Sequence, residues 1–186
     1  MNESEIEQIL HKWDAMPLPK DEYAAAQLSC AKVALGLIND LIELPKEMQK
    51  DFIIILAYLA RRAFLSEEEK RIIFGKNFIE GGLTEKVLAE SSHTAIILAA
   101  LEWVDKGRFP QAAALLMDIR KDSWAEVAAE WESQWRLCHN LDAALVRLLA
   151  YRCGGVDFEQ NEMEEMEHIV HDWCPRIEEL LILLAA

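Results

Sequence analysis

Residues 84–106 read TEKVLAESSHTAIILAALEWVDK. After Glu90, the residues Thr94, Ala95, Ile96, Ile97, Leu98, Ala99, Ala100, Leu101, Trp103 and Val104 point in every direction around a 3.6-residue turn, and only Glu102 interrupts them. A helix apolar on all sides belongs in the middle of a bundle, wrapped by other helices. Thr84 is suited to cap this helix and Gly107 to stop it.

A second stretch reads the same way. From Lys46 to Leu65 the chain is polar for one turn and then almost wholly apolar, from Phe52 through Ala60. Residue type alone would allow a strand here, but the length of the run argues for a helix. Two buried central helices are therefore expected, about 51–64 and 84–106. The flanking segments carry stripes at helical spacing. Ile6, Ile9, Leu10 and Trp13 form one before Pro17, and Ala24, Leu28, Ala31, Leu35, Ile38 and Ile42 form another before Pro45. Ser66 with Glu69 and Ser123 with Glu126 have the Ser-x-x-Glu spacing of capping boxes. Pro110 suits the start of a short helix running to Arg120.

The longest expected helix is Trp124–Cys153, closed by Gly154-Gly155, with Trp124, Val127, Trp131, Trp135, Cys138, Leu141, Leu145 and Leu148 as its stripe. Glu132 and Arg136 sit four apart on its outer face, in the favourable order for an ion pair. A helix over Phe158–Trp173 is interrupted at Pro175, and the following ELLILLAA is apolar enough to require docking on the body or on a partner. No stretch alternates at period two. The expectation is an all-α protein of about eight or nine helices in a single domain, 1–186, arranged as a bundle or an irregular array of αα-hairpins.

The totals narrow the function. Nineteen Lys and Arg stand against 33 Asp and Glu, a formal charge of −14 over 186 residues. Such a chain is poorly suited to nucleic acid, which needs cations to displace counterions from phosphates, and to anionic lipid. It favours a protein partner of basic character. No apolar run reaches the roughly 18 residues of a bilayer span. The segment MNESEIEQIL has neither the basic part nor the apolar core of a secretory leader. Cys30, Cys138, Cys153 and Cys174 form no Cys-x-x-Cys pair and lie among apolar neighbours, where a thiol behaves as a small hydrophobe. A cytoplasmic location follows as the expectation.

No Gly-rich phosphate loop, Gly-x-Ser-x-Gly elbow or His-Glu-x-x-His appears. Two Glu-x-x-His segments do, Glu90–His93 and Glu165–His168. Glu and His three apart point to one side of a helix, so each pair offers two ligands to one cluster. This spacing resembles the ferritin-like di-iron bundles, and that resemblance implies a metal site of Glu90, His93, Glu132, Glu165 and His168 holding iron or zinc. On periodicity, the buried side of the last long helix is Met163, Met166, Ile169 or Val170, and Trp173, which turns His168 toward water. His168 and His171, with Glu164, Glu167 and Cys174, also form an acidic stripe that could take up a divalent transition metal.

Trp103-Val-Asp-Lys-Gly107-Arg-Phe109-Pro-Gln-Ala112 resembles the hairpin turn of a tetratricopeptide repeat over residues about 96–120: an aromatic, a Lys-Gly turn, a second aromatic, then a small Ala where helices cross. That resemblance implies a helical surface for protein binding. The sequence thus points to a non-catalytic, acidic, cytoplasmic protein of adaptor or helical-repeat-like type, with self-association into a homo-oligomer left open. Two alternatives accompany it: a small acidic immunity or inhibitor protein masking a basic toxin or nuclease site, and a di-metal carboxylate oxidase or metal-binding protein.

Overall fold

A computed structural model of the chain describes residues 92–185 continuously, together with the single positions Gln8, His11, Ile54, Ser66 and Glu68. The chain divides into two compact units, Met1–Ser91 and Ser92–Ala186. The expectation of one domain over 1–186 concerns both units and remains an expectation. Of the expected helix 51–64 only Ile54 is described, and it is helical and fully buried. The expected beginning of the next helix at Thr84 lies outside the described residues.

Within the second unit the described residues form seven α-helices and one 3-10 turn, with no strand among them. α1 is Ser92–Asp105 and α2 is Phe109–Leu116. They pack on each other as a hairpin whose turn is set by Gly107. Its φ of +68° is left-handed, and the turn closes by Arg108 N–H donating to Trp103 O (2.9 Å) and Gly107 N–H to Val104 O (3.0 Å). That pair of bonds satisfies the carbonyls of Trp103 and Val104 in the last turn of α1. Thr94, Ile97, Ala100, Leu101 and Val104 of α1 are buried. Ala99 and Glu102 are exposed, and Ile96 and Leu98 half-buried, so this helix is striped rather than sheathed. Alanines on its outer side made it look uniformly apolar; a methyl group tolerates water at little cost.

α2 stops at Leu116 and not at Arg120, because the chain tightens into i→i−3 bonds that draw Ile119 into the core. The 3-10 turn Lys121–Ser123 runs directly into α3, Trp124–Glu130. Ser123 is already helical there and its side chain caps nothing, so the expected capping box is not made. The single long helix expected over Trp124–Cys153 is three helices: α3, α4 (Glu132–Cys138) and α5 (Leu141–Gly154). Trp131 breaks the first pair at φ −100°, ψ 0°. His139 breaks the second at a left-handed φ of 45°, and Asn140 restarts the chain by accepting Ala143 N–H on its Oδ1 at 2.7 Å. The apolar stripe survives both breaks: Trp124, Val127, Trp131, Trp135, Leu141, Leu145 and Leu148 are all buried, while the side chain of Cys138, the eighth expected member, lies outside those described.

The sheathed rod of this unit is α5. Ten consecutive residues, Leu141–Ala150, are buried, Asp142 and Arg147 among them. α5 packs on α3, α4, the 3-10 turn, α6 (Gln160–Trp173) and α7 (Ile177–Ala185). Its end is a Gly pair with two distinct requirements. Gly155 has φ +65° and open space where a Cβ would lie. At Gly154 a Cβ would overlap that of Trp124 and come within 2.9 Å of its Cγ, so glycine here lets α5 touch the start of α3. α7 docks on α2 and α5 through Ile177, Leu180 and Leu181, which places the apolar C-terminal segment on the body. Among the described residues no helix is long and apolar enough to cross a membrane.

Candidate functional site

The residues expected to bind metal are not assembled by this unit. Glu90 lies outside the described residues. His93 is half-buried on α1. Glu132 on α4 pairs with Arg136 at 2.7 Å, as its i,i+4 spacing predicted. Glu165 on α6 meets Nδ1 of His139 at 2.7 Å, and His168 is exposed. Among the described residues no three His, Cys, Asp or Glu side chains converge to hold a metal ion. The acidic stripe on α6 is engaged differently from the metal reading. His171 gives Nδ1 to Glu167 O at 2.7 Å and Nε2 to Glu178 Oε1 at 3.0 Å. Both partners can only accept, so the ring fits them as an imidazolium, and its pKa is raised, first by the Glu167 carbonyl and then by Glu178.

The arrangement of α6 follows its periodicity in the middle of the helix, but Met163 is only half-buried and Trp173, expected on the buried side, is exposed. Met166, Ile169 and Val170 face the core, and Trp173 is 40% exposed at the helix end. Cys153 is half-buried, and burial pushes its thiol up to about 11, which keeps it protonated and unreactive at neutral pH.

The unit does contain a groove of about 620 Å³. One wall is the alanine face of α3, Ala125, Ala128 and Ala129, at the i, i+3, i+4 spacing of a single helix side. Glu132 and Arg136 of α4 also line it. The loop from Val156 to Glu159, which follows the left-handed Gly155, brings Asp157, Phe158 and Glu159 to the other side, and Glu162 of α6 completes it. The floor is Arg147, projected from the middle of α5.

Arg147 is 4% exposed. Its guanidinium lies over the rings of Phe158 (4.5 Å) and Trp135 (5.4 Å). Trp135 in turn stacks on His139, with ring centroids 4.2 Å apart and planes 3° from parallel. Among the described residues Arg147 pairs with Glu162 at 3.4 Å, longer than the 2.7–2.9 Å usual for such bonds. Its Nε is buried with no hydrogen-bond partner. Ring contacts of this kind, each worth about 0.5–2 kcal/mol, offset part of the cost of burying the cation. Burial lowers its pKa, with Glu162 and then Glu132 opposing the shift.

The groove was not foreseen from sequence, although a signal was present. Arg147 is a lone cation in the run Ala143–Ala150, where a buried charge needs partners. What could not be read was that Phe158, eleven positions on and beyond a Gly pair, folds back over it. Comparison of the chain with protein-family models, with curated proteins and with solved structures gave no match.

Proposed function

We propose that this chain is a non-catalytic, cytoplasmic protein-binding module, whose α6 face and adjoining groove take a basic segment of another protein. The observation that carries this reading is one of charge placement. From 157 to 172 the chain holds Asp157, Glu159, Glu162, Glu164, Glu165, Glu167 and Asp172 and no Lys or Arg. The apolar side of α6 is turned inward, Glu162, Glu164, Glu165, Glu167 and Asp172 are half-buried or exposed on its other sides, and Asp157 and Glu159 just before it line the groove with Glu162 and Glu132. A surface of one sign beside a concave feature favours a partner of the opposite sign and speeds encounter. The αα-hairpin at Gly107 supports the adaptor or helical-repeat-like version of the reading.

The test uses two labelled synthetic peptides of equal length, one of Lys and Ala, one of Glu and Ala. The Lys peptide is expected to bind, and to lose affinity steeply as salt rises from 0.05 to about 0.5 M, where the Debye length falls to roughly 4 Å. Charge reversal of Glu159 and Glu164 to Lys is expected to weaken it further. Equal binding of the Glu peptide, or insensitivity to salt, would reject the reading.

A further inference from the structure

The groove has an inner end and an outer end of opposite character. Inside, the Arg147 guanidinium is clamped by Phe158 and Trp135, with Nε lacking an acceptor and one Nη held only by the long contact to Glu162. Outside, Glu132, Asp157, Glu159 and Glu162 outnumber Arg136 and Arg147, so the lining is net acidic. A free phosphate would meet that excess of carboxylates and be repelled. A simple cation would be repelled by the floor. The occupant that satisfies both ends has an acceptor group that enters first and a cation that follows it. The alanines of α3 that line the same groove offer only methyl groups, against which the methylene stem of Lys or Arg can lie.

We propose that the groove receives the free C-terminus of a polypeptide ending in Lys or Arg, with the terminal α-carboxylate on Arg147 and the basic side chain among Glu132, Asp157 and Glu159. A guanidinium presents Nε–H and one Nη–H side by side, which matches the two oxygens of a carboxylate. This edge of Arg147 lacks an acceptor: Nε is buried without a partner and the Glu162 contact is long, so an entering carboxylate reaches it by displacing Glu162. The inference rests on the protein-binding reading above and narrows its partner to a chain end.

Three labelled peptides test it: one ending in Lys-Arg with a free carboxylate, the same peptide amidated, and one with Lys-Arg in its interior and a capped, neutral end. The free acid is expected to bind at least about tenfold tighter than the amide, the effect of one charge-assisted bidentate contact. R147M should abolish that acid-to-amide ratio, and so should A129F, which replaces an exposed alanine and fills the groove. Circular dichroism melts verify that both variants are folded. Equal affinity for acid, amide and interior peptides would overturn this inference and leave the basic-segment reading standing. No binding by any of the three would overturn both. A ratio that persists in both variants would place the carboxylate elsewhere and reject the groove.

Discussion

Arg147 shows how a single side chain can serve packing and recognition at once. With 4% exposure it has given up most of its hydration, and the rings of Phe158 and Trp135 are its main compensation. R147A should therefore cost about 2–4 kcal/mol in urea denaturation, since it leaves a cavity between two aromatic rings. R147M keeps the volume and removes the charge. It should cost less than about 1 kcal/mol or be neutral, because Glu162 is partly exposed and can be solvated when it loses its partner. Equal losses in the two variants would show that charge, and not packing, holds the site. From sequence, Arg147 is recognisable as a charge in an apolar run. Its aromatic clamp is not, since Phe158 arrives from a loop whose path depends on how Gly155 turns.

At the scale of helices, the breaks within 124–153 matter more than the helices themselves. The apolar stripe was legible across this segment, and its seven described members are buried. The interruptions were not, because neither Trp131 nor His139 is a helix breaker by type. The one local cue is Asn140, a strong N-cap residue inside a helical pattern. N140A should cost about 1–2 kcal/mol, toward the upper end for a cap because this one is fully buried. G154A should cost about 1–3 kcal/mol by forcing α5 off Trp124, while G155N should be nearly silent, since asparagine tolerates the left-handed region and the space is open. The α6–α7 junction carries a pH dependence of its own. His171, with its folded pKa raised above 6.5, contributes stability fully below that unfolded value and loses it as pH rises through the folded one. Wild-type protein should thus exceed H171Q in stability at pH 5.5, with the gap closing by pH 8.5. The ring is partly exposed, so the gap should be about 0.5 kcal/mol or less.

At the scale of the whole molecule, helical periodicity gave the right class for the described residues: they are helical where apolar stripes recur, and ELLILLAA docks through its apolar side. Centrality was harder to read. The run Ile96–Leu101 is more hydrophobic than Leu141–Ala150, yet the second is the more completely enclosed, because enclosure follows from how many neighbours surround a helix and not from its own composition. That enclosure has a practical consequence for isotope labelling. Amides near the middle of α5, about residues 145–150, should exchange with deuterium only when this unit opens completely, and so be its slowest. They would act as an internal clock for any ligand that selects the folded form. At a hundred times its Kd, such a ligand slows them by the equivalent of about 2.7 kcal/mol, roughly a hundredfold, wherever on the surface it lands.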